Sequence, residues 1–561
     1  MVKNYQVYYF RILSEKQNSN ILYKETGGLE EMPKGYLSMV LHAHLPYVRH
    51  PEYNDFLEED WLYEAITETY IPLLDMFERL TNDNIPWKIT LTMSGTLLNM
   101  LSDNLLQERY VRHLNKMVEF TEKESTRVQF LPEFIETARH NEEFFKKARY
   151  YYCDKYGRDI IQGFKKFQDL GNLEIIPVTA THGFLPLMKD YPEAVNAQVE
   201  MAKIDYKRFF DREPSGIWLA ECAYFPGQEE FLAKHGIRYF FVDSHGILFG
   251  EPRPAYGIYS PVYTRAGVAA FGRDIESSEQ VWSSEIGYPG DGSYREFHKD
   301  AAFDLDYDYV KPYLHEDGVK RNMGIKYYAI TDKNGVEKKP YNPEAAYNKA
   351  KEHAYNFIHN RDKQVEYLAS LMGDRAPIVV SPYDAELYGH WWYEGPIFLE
   401  WIFRAMAEST MVAPITPGEY LRKYPKNQVV TPTASSWGAN GYYDVWVDSS
   451  NKHIYRHLHK GAERMIELAN RHPESEGVLN RALNQCAREL MLAQTSCWPF
   501  IMFTGTMVGY AEKKIRDHLN RLYKLYFEIK ENRVDEGWLK EIEYRDNIFP
   551  EMDYRVYRSG R

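Results

Sequence analysis

Short runs of apolar residues recur along the chain, and each of them ends in chemically active side chains. The six runs are YLSMVLHAH (36–44), WKITLTMSGT (87–96), LEIIPVTATHG (173–183), GIWLAECAY (216–224), RYFFVDSHG (238–246) and APIVVSPYDAE (376–386). Near-continuous apolar runs are typical of strands that are covered on both faces, so they predict parallel strands shielded by helices. Active groups at the carboxyl ends of several parallel strands are the pattern of a (β/α) barrel.

Segments with apolar residues three and four apart lie between these runs and predict helices, as in residues 343–372. The same spacing fills residues 97–170, where it interrupts the alternation and predicts an inserted helical subdomain. Residues 247–342 are rich in Pro, Gly and Tyr and predict a long loop region, in which Asn334-Gly335 is a hairpin signal. The expected fold is thus α/β, with a catalytic barrel over about residues 36–430.

The two ends of the chain differ from this central part. Residues 1–35 are polar, lack periodicity and predict an N-terminal extension. Residues 431–561 are mainly helical in pattern, since Leu483, Cys486 and Leu490 fall on one stripe. We therefore expect a C-terminal helical domain that contributes to the substrate cleft.

Composition narrows the class of partner. The net charge of −13 disfavours nucleic acid and anionic membranes, because neither attracts a negative protein. Four cysteines without CxxC spacing, no apolar core of a signal peptide and no stretch that could span a bilayer predict a cytoplasmic protein. The 15% aromatic content suits a carbohydrate ligand, whose C–H faces pack on aromatic rings.

His42 and His44 lie two residues apart at the end of a predicted strand and therefore share one of its faces. Three interpretations stay open. The pair could bind a metal if Asp243, His245 or His182 converged on it. The imidazoles could instead contact the hydroxyls of a sugar, or they could be hydrogen-bonded core histidines.

Three acidic residues follow two of the apolar runs. Glu221 comes directly after one strand beside aromatic rings, and Asp384 and Glu386 follow another at a spacing of two. A buried acid is costly unless it is paired or used. Two carboxyl groups in different environments could divide the work of glycoside cleavage, one as an ionised nucleophile and one as a protonated acid. The alternative for Glu221 is a structural salt bridge.

Five segments in order resemble the characteristic regions of glycoside hydrolase family 57. They are LHAHLPYVRHPE (41–52), GNLEIIPVTATHGFLPLM (171–188), GIWLAECAYFPGQEEFL (216–232), SPYDAELYGHWWYEGP (381–396) and SSWGANGYYDVW (435–446). Segments 271–297, 496–522 and 545–557 further resemble the 1,4-α-glucan branching enzyme group of that family. The resemblance extends from about residue 36 to the end of the chain.

This resemblance implies a distorted (β/α)7 barrel and a retaining mechanism, with Glu221 as nucleophile and Asp384 as general acid/base. It implies an α-glucan substrate, no cofactor and no metal. The implied substrate-binding residues are His42, His44, His182, Arg273, Trp282, Trp437 and Trp446. Trp391 and Trp392, which follow the acid, are interpreted as packing behind it, as stacking on sugar or as core.

Four activities are compatible with these patterns. The first is a branching enzyme, which transfers a cleaved chain to a 6-hydroxyl. The second is an α-amylase or 4-α-glucanotransferase with the same catalytic residues and another acceptor. A metal-dependent polysaccharide deacetylase and a non-catalytic glucan-binding protein are the others; resistance to a chelator and the effect of Glu221→Gln distinguish them.

Overall fold

The structure is a computed structural model that describes residues 32–283, 286–331 and 337–560. Its strands are β1 (Gly35–Ala43), β2 (Ile89–Met93), β3 (Leu173–Pro177), β4 (Gly216–Ile217), β5 (Tyr239–Val242), β6 (Val262–Tyr263), β7 (Ala269–Gly272), β8 (Ile378–Asp384) and β9 (Val412–Pro414). One sheet has the order β3-β2-β1-β8, with β9 beside the start of β1, and a second has the order β4-β5-β7-β6. All pairs are parallel except β6 with β7.

The two sheets join into a barrel of seven parallel strands, β1 to β5 with β7 and β8. A parallel bridge between Val178 and Trp218 links β3 to β4. On the other side, the backbone N–H of Asp274 donates to the carbonyl of Val380 at 2.8 Å, which ties the end of β7 to β8. All nine residues of β1 are buried, as expected for a strand with helices or barrel interior on each face. The predicted (β/α)7 barrel is confirmed.

Twenty α-helices surround the barrel and extend it within the described residues. They are α1 (Asp60–Glu64), α2 (Ile71–Asn82), α3 (Gly95–Leu101), α4 (Asn104–Arg127), α5 (Pro132–Arg149), α6 (Ile160–Asp169), α7 (Pro192–Phe210), α8 (Gln228–Lys234), α9 (Ser244–Leu248), α10 (Ile275–Trp282), α11 (Ala301–Asp304), α12 (Tyr307–Val310), α13 (Pro343–Met372), α14 (Gly395–Glu408), α15 (Pro417–Lys423), α16 (Tyr455–Arg471), α17 (Gly477–Ala493), α18 (Cys497–Thr504), α19 (Val508–Lys530) and α20 (Glu536–Arg545). In the described part of the chain, no helix is both long and apolar enough to cross a bilayer.

Local sequence signals account for several helix ends. The side chain of Asp103 accepts from the N–H of Leu106 and caps α4, and Asn342 caps α13 in the same way. Pro132 and Pro343 occupy the first turn of their helices, where a missing N–H costs nothing. Within residues 97–170, the Asp103 cap and Pro132 thus mark the starts of α4 and α5.

The C-terminal helices share a core with the barrel. A single cluster of buried apolar side chains contains Leu37 of β1, Phe77 of α2, Leu114 of α4 and Leu490 of α17. Packing of this kind brings residues from beyond position 450 against the end of the barrel. The division into an extension, a barrel and a C-terminal domain stays a prediction, and most of the predicted extension lies outside the described residues.

The predicted loop region over 247–342 contains a barrel strand that the sequence pattern did not identify. This strand, β7, is only four residues long, and its sequence AAFG has two alanines where a bulky apolar run would signal a buried strand. It nevertheless pairs in parallel with β5 over all four residues. The hairpin predicted at Asn334-Gly335 lies outside the described residues.

Candidate active site

The chain turns sharply after β4, at Glu221. Glu221 and Cys222 have φ angles of 62° and 50°, in the left-handed region that residues with a Cβ seldom adopt. Conformations of this kind cost about 1–3 kcal/mol each and persist where the surroundings enforce them. The backbone N–H of Trp437 donates to the carbonyl of Glu221 at 3.0 Å, so a segment beyond the barrel holds the turn.

Two side chains hold the carboxylate of Glu221. The indole Nε1 of Trp437 donates to Oε2 at 2.8 Å, and the hydroxyl of Ser496 donates to Oε1 at 2.8 Å. Burial raises the pKa of Glu221, and these two hydrogen bonds act in the opposite direction because they stabilise the ionised form. The carboxylate is therefore anchored by both oxygens at the end of β4.

A chain of hydrogen bonds leads from β2 to this carboxylate. Thr92 Oγ1 lies 2.6 Å from His42 Nδ1, His42 Nε2 lies 2.9 Å from His182 Nε2, and His182 Nδ1 lies 2.6 Å from Ser496 Oγ. One assignment of protons satisfies every contact: Thr92 donates to His42, His42 to His182, His182 to Ser496 and Ser496 to Glu221. This assignment requires both imidazoles to be neutral.

Burial keeps these imidazoles neutral. It lowers the pKa of His182 to about 3, and it lowers the pKa of His42 and His44 well below their usual range, with a further contribution from neighbouring histidines. The His44 and His182 rings are stacked, with centroids 3.9 Å apart and planes 7° from parallel. The three histidines predicted from sequence thus lie together.

The histidines do not form a good metal site. Donor atoms of His44, His182 and Cys497 lie within 4.8 Å of one another, and Cys497 Sγ is 3.0 Å from His44 Nε2. An imidazole binds a metal through a lone pair in its ring plane, so two stacked parallel rings cannot both point at one ion. Both ring nitrogens of His182 are also already hydrogen-bonded.

Asp384 is the last residue of β8. In the pairing of β1 with β8 it stands directly beside His42. Burial raises the pKa of Asp384 well above its usual range, the negative charges of Glu386 and Glu221 add to the rise, and Arg273 opposes it. The site thus combines a carboxylate anchored by two hydrogen bonds with a second acid whose pKa is raised by burial and by neighbouring negative charges.

Arg273 follows β7 and lies beside Trp437. Its guanidinium carbon is 5.7 Å from the centre of the indole, and its Nη1 is 3.5 Å from an oxygen of Asp243. Asp243 also contacts His245 Nδ1 at 3.1 Å. Asp243 and His245, which were considered as metal ligands with the histidine pair, are therefore engaged with each other and with Arg273.

The tryptophans occupy different environments. Trp446 is 1% exposed and stacks on Phe184 with ring centroids 4.6 Å apart, so it packs within the protein, and its predicted contact with a glucan stays a prediction. Trp282 and Trp391 are 38% and 46% exposed and lie with ring centres 6.3 Å apart on the rim of the barrel. Trp392 is buried.

Sequence reasoning missed Ser496 and Cys497, which come from the start of α18, and Tyr70. Tyr70 donates its hydroxyl proton to Glu386. Neither spacing nor strand position marks Ser496, because it lies 275 residues from Glu221. The only signal was that the segment starting at Ser496 takes part in the family resemblance.

A parallel barrel with two acids in distinct environments, neutral imidazoles and partly exposed tryptophans at the carboxyl ends of its strands is the architecture of an enzyme that cleaves glycosidic bonds with a carboxyl pair. The comparisons agree with this class. Residues 38–433 match the sequence model of glycosyl hydrolase family 57, and residues 457–557 match that of the 1,4-alpha-glucan branching enzyme C-terminal region. The chain belongs to glycosyl hydrolase family 57.

Similar proteins cover nearly the whole chain. The 1,4-alpha-glucan branching enzyme of Thermococcus kodakarensis is 32% identical, over 92% of this chain and 77% of its own length. Among solved structures, the alpha-amylase AmyC of Thermotoga maritima is 45% identical with a TM-score of 0.88, covering 93% of this chain and 99% of its own. The family 57 branching enzyme of Pyrococcus horikoshii is 33% identical with a TM-score of 0.84, covering 94% and 97%.

Proposed function

We propose that the protein is a 1,4-α-glucan branching enzyme, with Glu221 as nucleophile and Asp384 as general acid/base. The observation that carries the assignment of roles is the contrast between the two acids. Glu221 accepts hydrogen bonds from Trp437 and Ser496, which favour its ionised form. Burial favours the protonated form of Asp384, and the negative charges of Glu386 and Glu221 add to this effect.

The reaction has two steps. Glu221 attacks the anomeric carbon while Asp384 gives its proton to the glycosidic oxygen, so that the α-1,4 bond breaks and a covalent glucosyl ester forms. Asp384, now ionised, takes the proton of the 6-hydroxyl of another glucan chain. That oxygen attacks the anomeric carbon, the ester bond breaks, and an α-1,6 branch with retained configuration results.

The surrounding groups suit this chemistry. His44 is partly exposed beside the two buried histidines, with its ring nitrogens next to Cys497 and Thr96, and we assign it to the sugar at the cleavage point. Trp437 is half-buried and borders the nucleophile, and Arg273 carries a positive charge beside it. The rim tryptophan Trp282 offers an aromatic face to a longer glucan. An α-glucan is therefore the substrate we assign.

The match of residues 457–557 to a branching-enzyme C-terminal region supports transfer to a 6-hydroxyl. A second candidate function is hydrolysis, because the alpha-amylase of Thermotoga maritima is 45% identical over 93% of the chain. A third, 1,4-transfer, uses the same residues and differs only in the acceptor hydroxyl. A cytoplasmic location is part of the proposal and is supported by four free cysteines.

The test is incubation with amylose, counting α-1,6 linkages by proton NMR and new reducing ends by a chemical assay. A branching enzyme makes branch points that exceed net reducing ends. Reducing ends without branch points would establish the amylase alternative, and disproportionation without either would establish 1,4-transfer. Glu221→Gln should abolish all products while the variant stays folded; turnover by Glu221→Gln at the rate of the unsubstituted protein would overturn the assignment.

A further inference from the structure

A π-helical turn at Ala65–Tyr70 packs against the loop that follows Asp384. All six residues of the turn are buried. The two backbones come so close that a Cβ on Gly389, which has a φ of 117°, would lie 1.8 Å from the carbonyl oxygen of Glu68. Single π turns inside helices are frequent at functional sites. This one presents Tyr70 towards the acids of β8.

Glu386 is the residue that this turn holds. It is 8% exposed, and its Oε1 accepts hydrogen bonds from the hydroxyl of Tyr70 and from the backbone N–H of His44, the latter at 3.3 Å. His44 follows the last residue of β1, and Glu386 follows Asp384 by two positions. The carboxylate of Glu386 therefore joins the segments that follow two neighbouring strands, β1 and β8.

We propose that Glu386 is a positioning residue, which fixes the backbone at His44 and by its negative charge keeps the proton on Asp384. This inference rests on the proposed function, because it assumes that Asp384 must be protonated when the glycosidic bond breaks. Asp384 stands beside His42 in the pairing of β8 with β1, and the Glu386 carboxylate accepts from the backbone two residues further along, at His44. Glu386 therefore lies near Asp384, and its negative charge and that of Glu221 favour the protonated form of Asp384, which the positive charge of Arg273 opposes.

Burial, a hydrogen bond and a neighbouring charge together set the pH at which Glu386 ionises. Burial raises the pKa of Glu386 to about 7, while its hydrogen bond from Tyr70 and the positive charge of His390 lower it. His390 is itself paired, with its Nδ1 2.6 Å from Glu68 and its Nε2 3.9 Å from Glu64. Above about pH 7 Glu386 is ionised, so its field acts on Asp384 at the alkaline side of the activity profile.

The test variant is Glu386→Gln, which keeps an oxygen that can accept from Tyr70 and His44 but carries no charge. The measurement is kcat/KM on amylose between pH 5 and 9. A unit charge close to a buried acid shifts the pKa of that acid by on the order of one pH unit. We expect the alkaline limb to move to lower pH by about one unit, with about a tenfold loss at pH 8 and little loss at pH 5.5.

Tyr70→Phe should move the same limb in the same direction by less, because Glu386 without its hydrogen-bond donor stays protonated to higher pH. Tyr388→Phe is the matched control: its buried hydroxyl has no hydrogen-bond partner among the described residues, and its profile should match that of the unsubstituted protein. Thermal unfolding midpoints of all variants verify that each is folded.

An alkaline limb that stays in place in Glu386→Gln would overturn the inference, and so would a loss that is equal at every pH, since that marks a structural role alone. Failure of the proposed function looks different. In that case the unsubstituted protein makes reducing ends or 1,4-transfer products without branch points, and the pH profile of Glu386→Gln on that turnover still tests the role of Glu386.

Discussion

Ser496 connects the C-terminal helices to Glu221, the proposed nucleophile, and its replacement by alanine is a stringent test of the site. The hydroxyl donates to Glu221 Oε1 at 2.8 Å and lies 2.6 Å from His182 Nδ1. Ser496→Ala leaves one carboxylate oxygen without a donor and one buried imidazole N–H without an acceptor. The backbone at the start of α18 need not change.

The size of the effect follows from the contact that is lost. A hydrogen bond to a charged group contributes about 1.5–3 kcal/mol, and each ~1.4 kcal/mol is a factor of ten in rate. Ser496→Ala should therefore lower kcat/KM by roughly 10- to 150-fold. Since this hydrogen bond lowers the pKa of Glu221, its loss should also move the acid limb of the pH profile to higher pH.

The assay is the rate of amylose conversion between pH 4 and 8, with the thermal unfolding midpoint as a check on folding. Ser38→Ala is the control, because the Ser38 hydroxyl in β1 is buried and lacks a hydrogen-bond partner within the described residues. Ser496→Thr keeps a hydroxyl and should restore part of the activity. If Ser496→Ala retains activity within twofold and an unchanged acid limb, the anchoring of Glu221 inferred from the contacts is wrong.

Three further predictions concern the acids and the close backbone approach. Asp384→Asn should lower kcat by roughly 10²- to 10⁴-fold with an unfolding midpoint close to that of the unsubstituted protein; equal activity would contradict its role. Burial raises the pKa of Glu64 to about 8, so the unfolded chain binds fewer protons than the folded one between about pH 4.3 and 8, and stability falls over that window. In the Glu64→Gln variant, the unfolding free energy measured by denaturant titration should fall by a few kcal/mol less between pH 5 and pH 8 than in the unsubstituted protein. An equal fall in the two proteins would refute the prediction. Gly389→Ala should unfold the loop or abolish activity, because its Cβ would overlap the Glu68 carbonyl. The control is Gly171→Ala, where φ is 79° and no atom lies within 4 Å of the added Cβ. This control should lower the unfolding free energy by only about 1–2 kcal/mol in the same titration.

The pattern of apolar runs was sufficient to predict the barrel because the signal of a buried parallel strand is local. Residues 36–44, 173–183 and 376–386 each carry a continuous apolar stretch and a polar end, and each contains a strand in the structure. The strand β7 escaped this reasoning because alanines and a glycine pack well beside phenylalanines in a barrel and still look like a loop in the sequence. The acids Glu221 and Asp384 could be proposed because each lies near the polar end of an apolar run.

The sequence by itself determined most of the apolar runs that form strands and therefore which acids and histidines lie near the carboxyl ends of those strands. Only the tertiary structure decided how those groups are held. The hydroxyl of Ser496 reaches Glu221 across 275 positions, Tyr70 reaches Glu386 across 316, and Trp446 turns into the core. Such contacts depend on how helices pack against the barrel, and packing depends on the summed shapes of many distant side chains rather than on any local pattern.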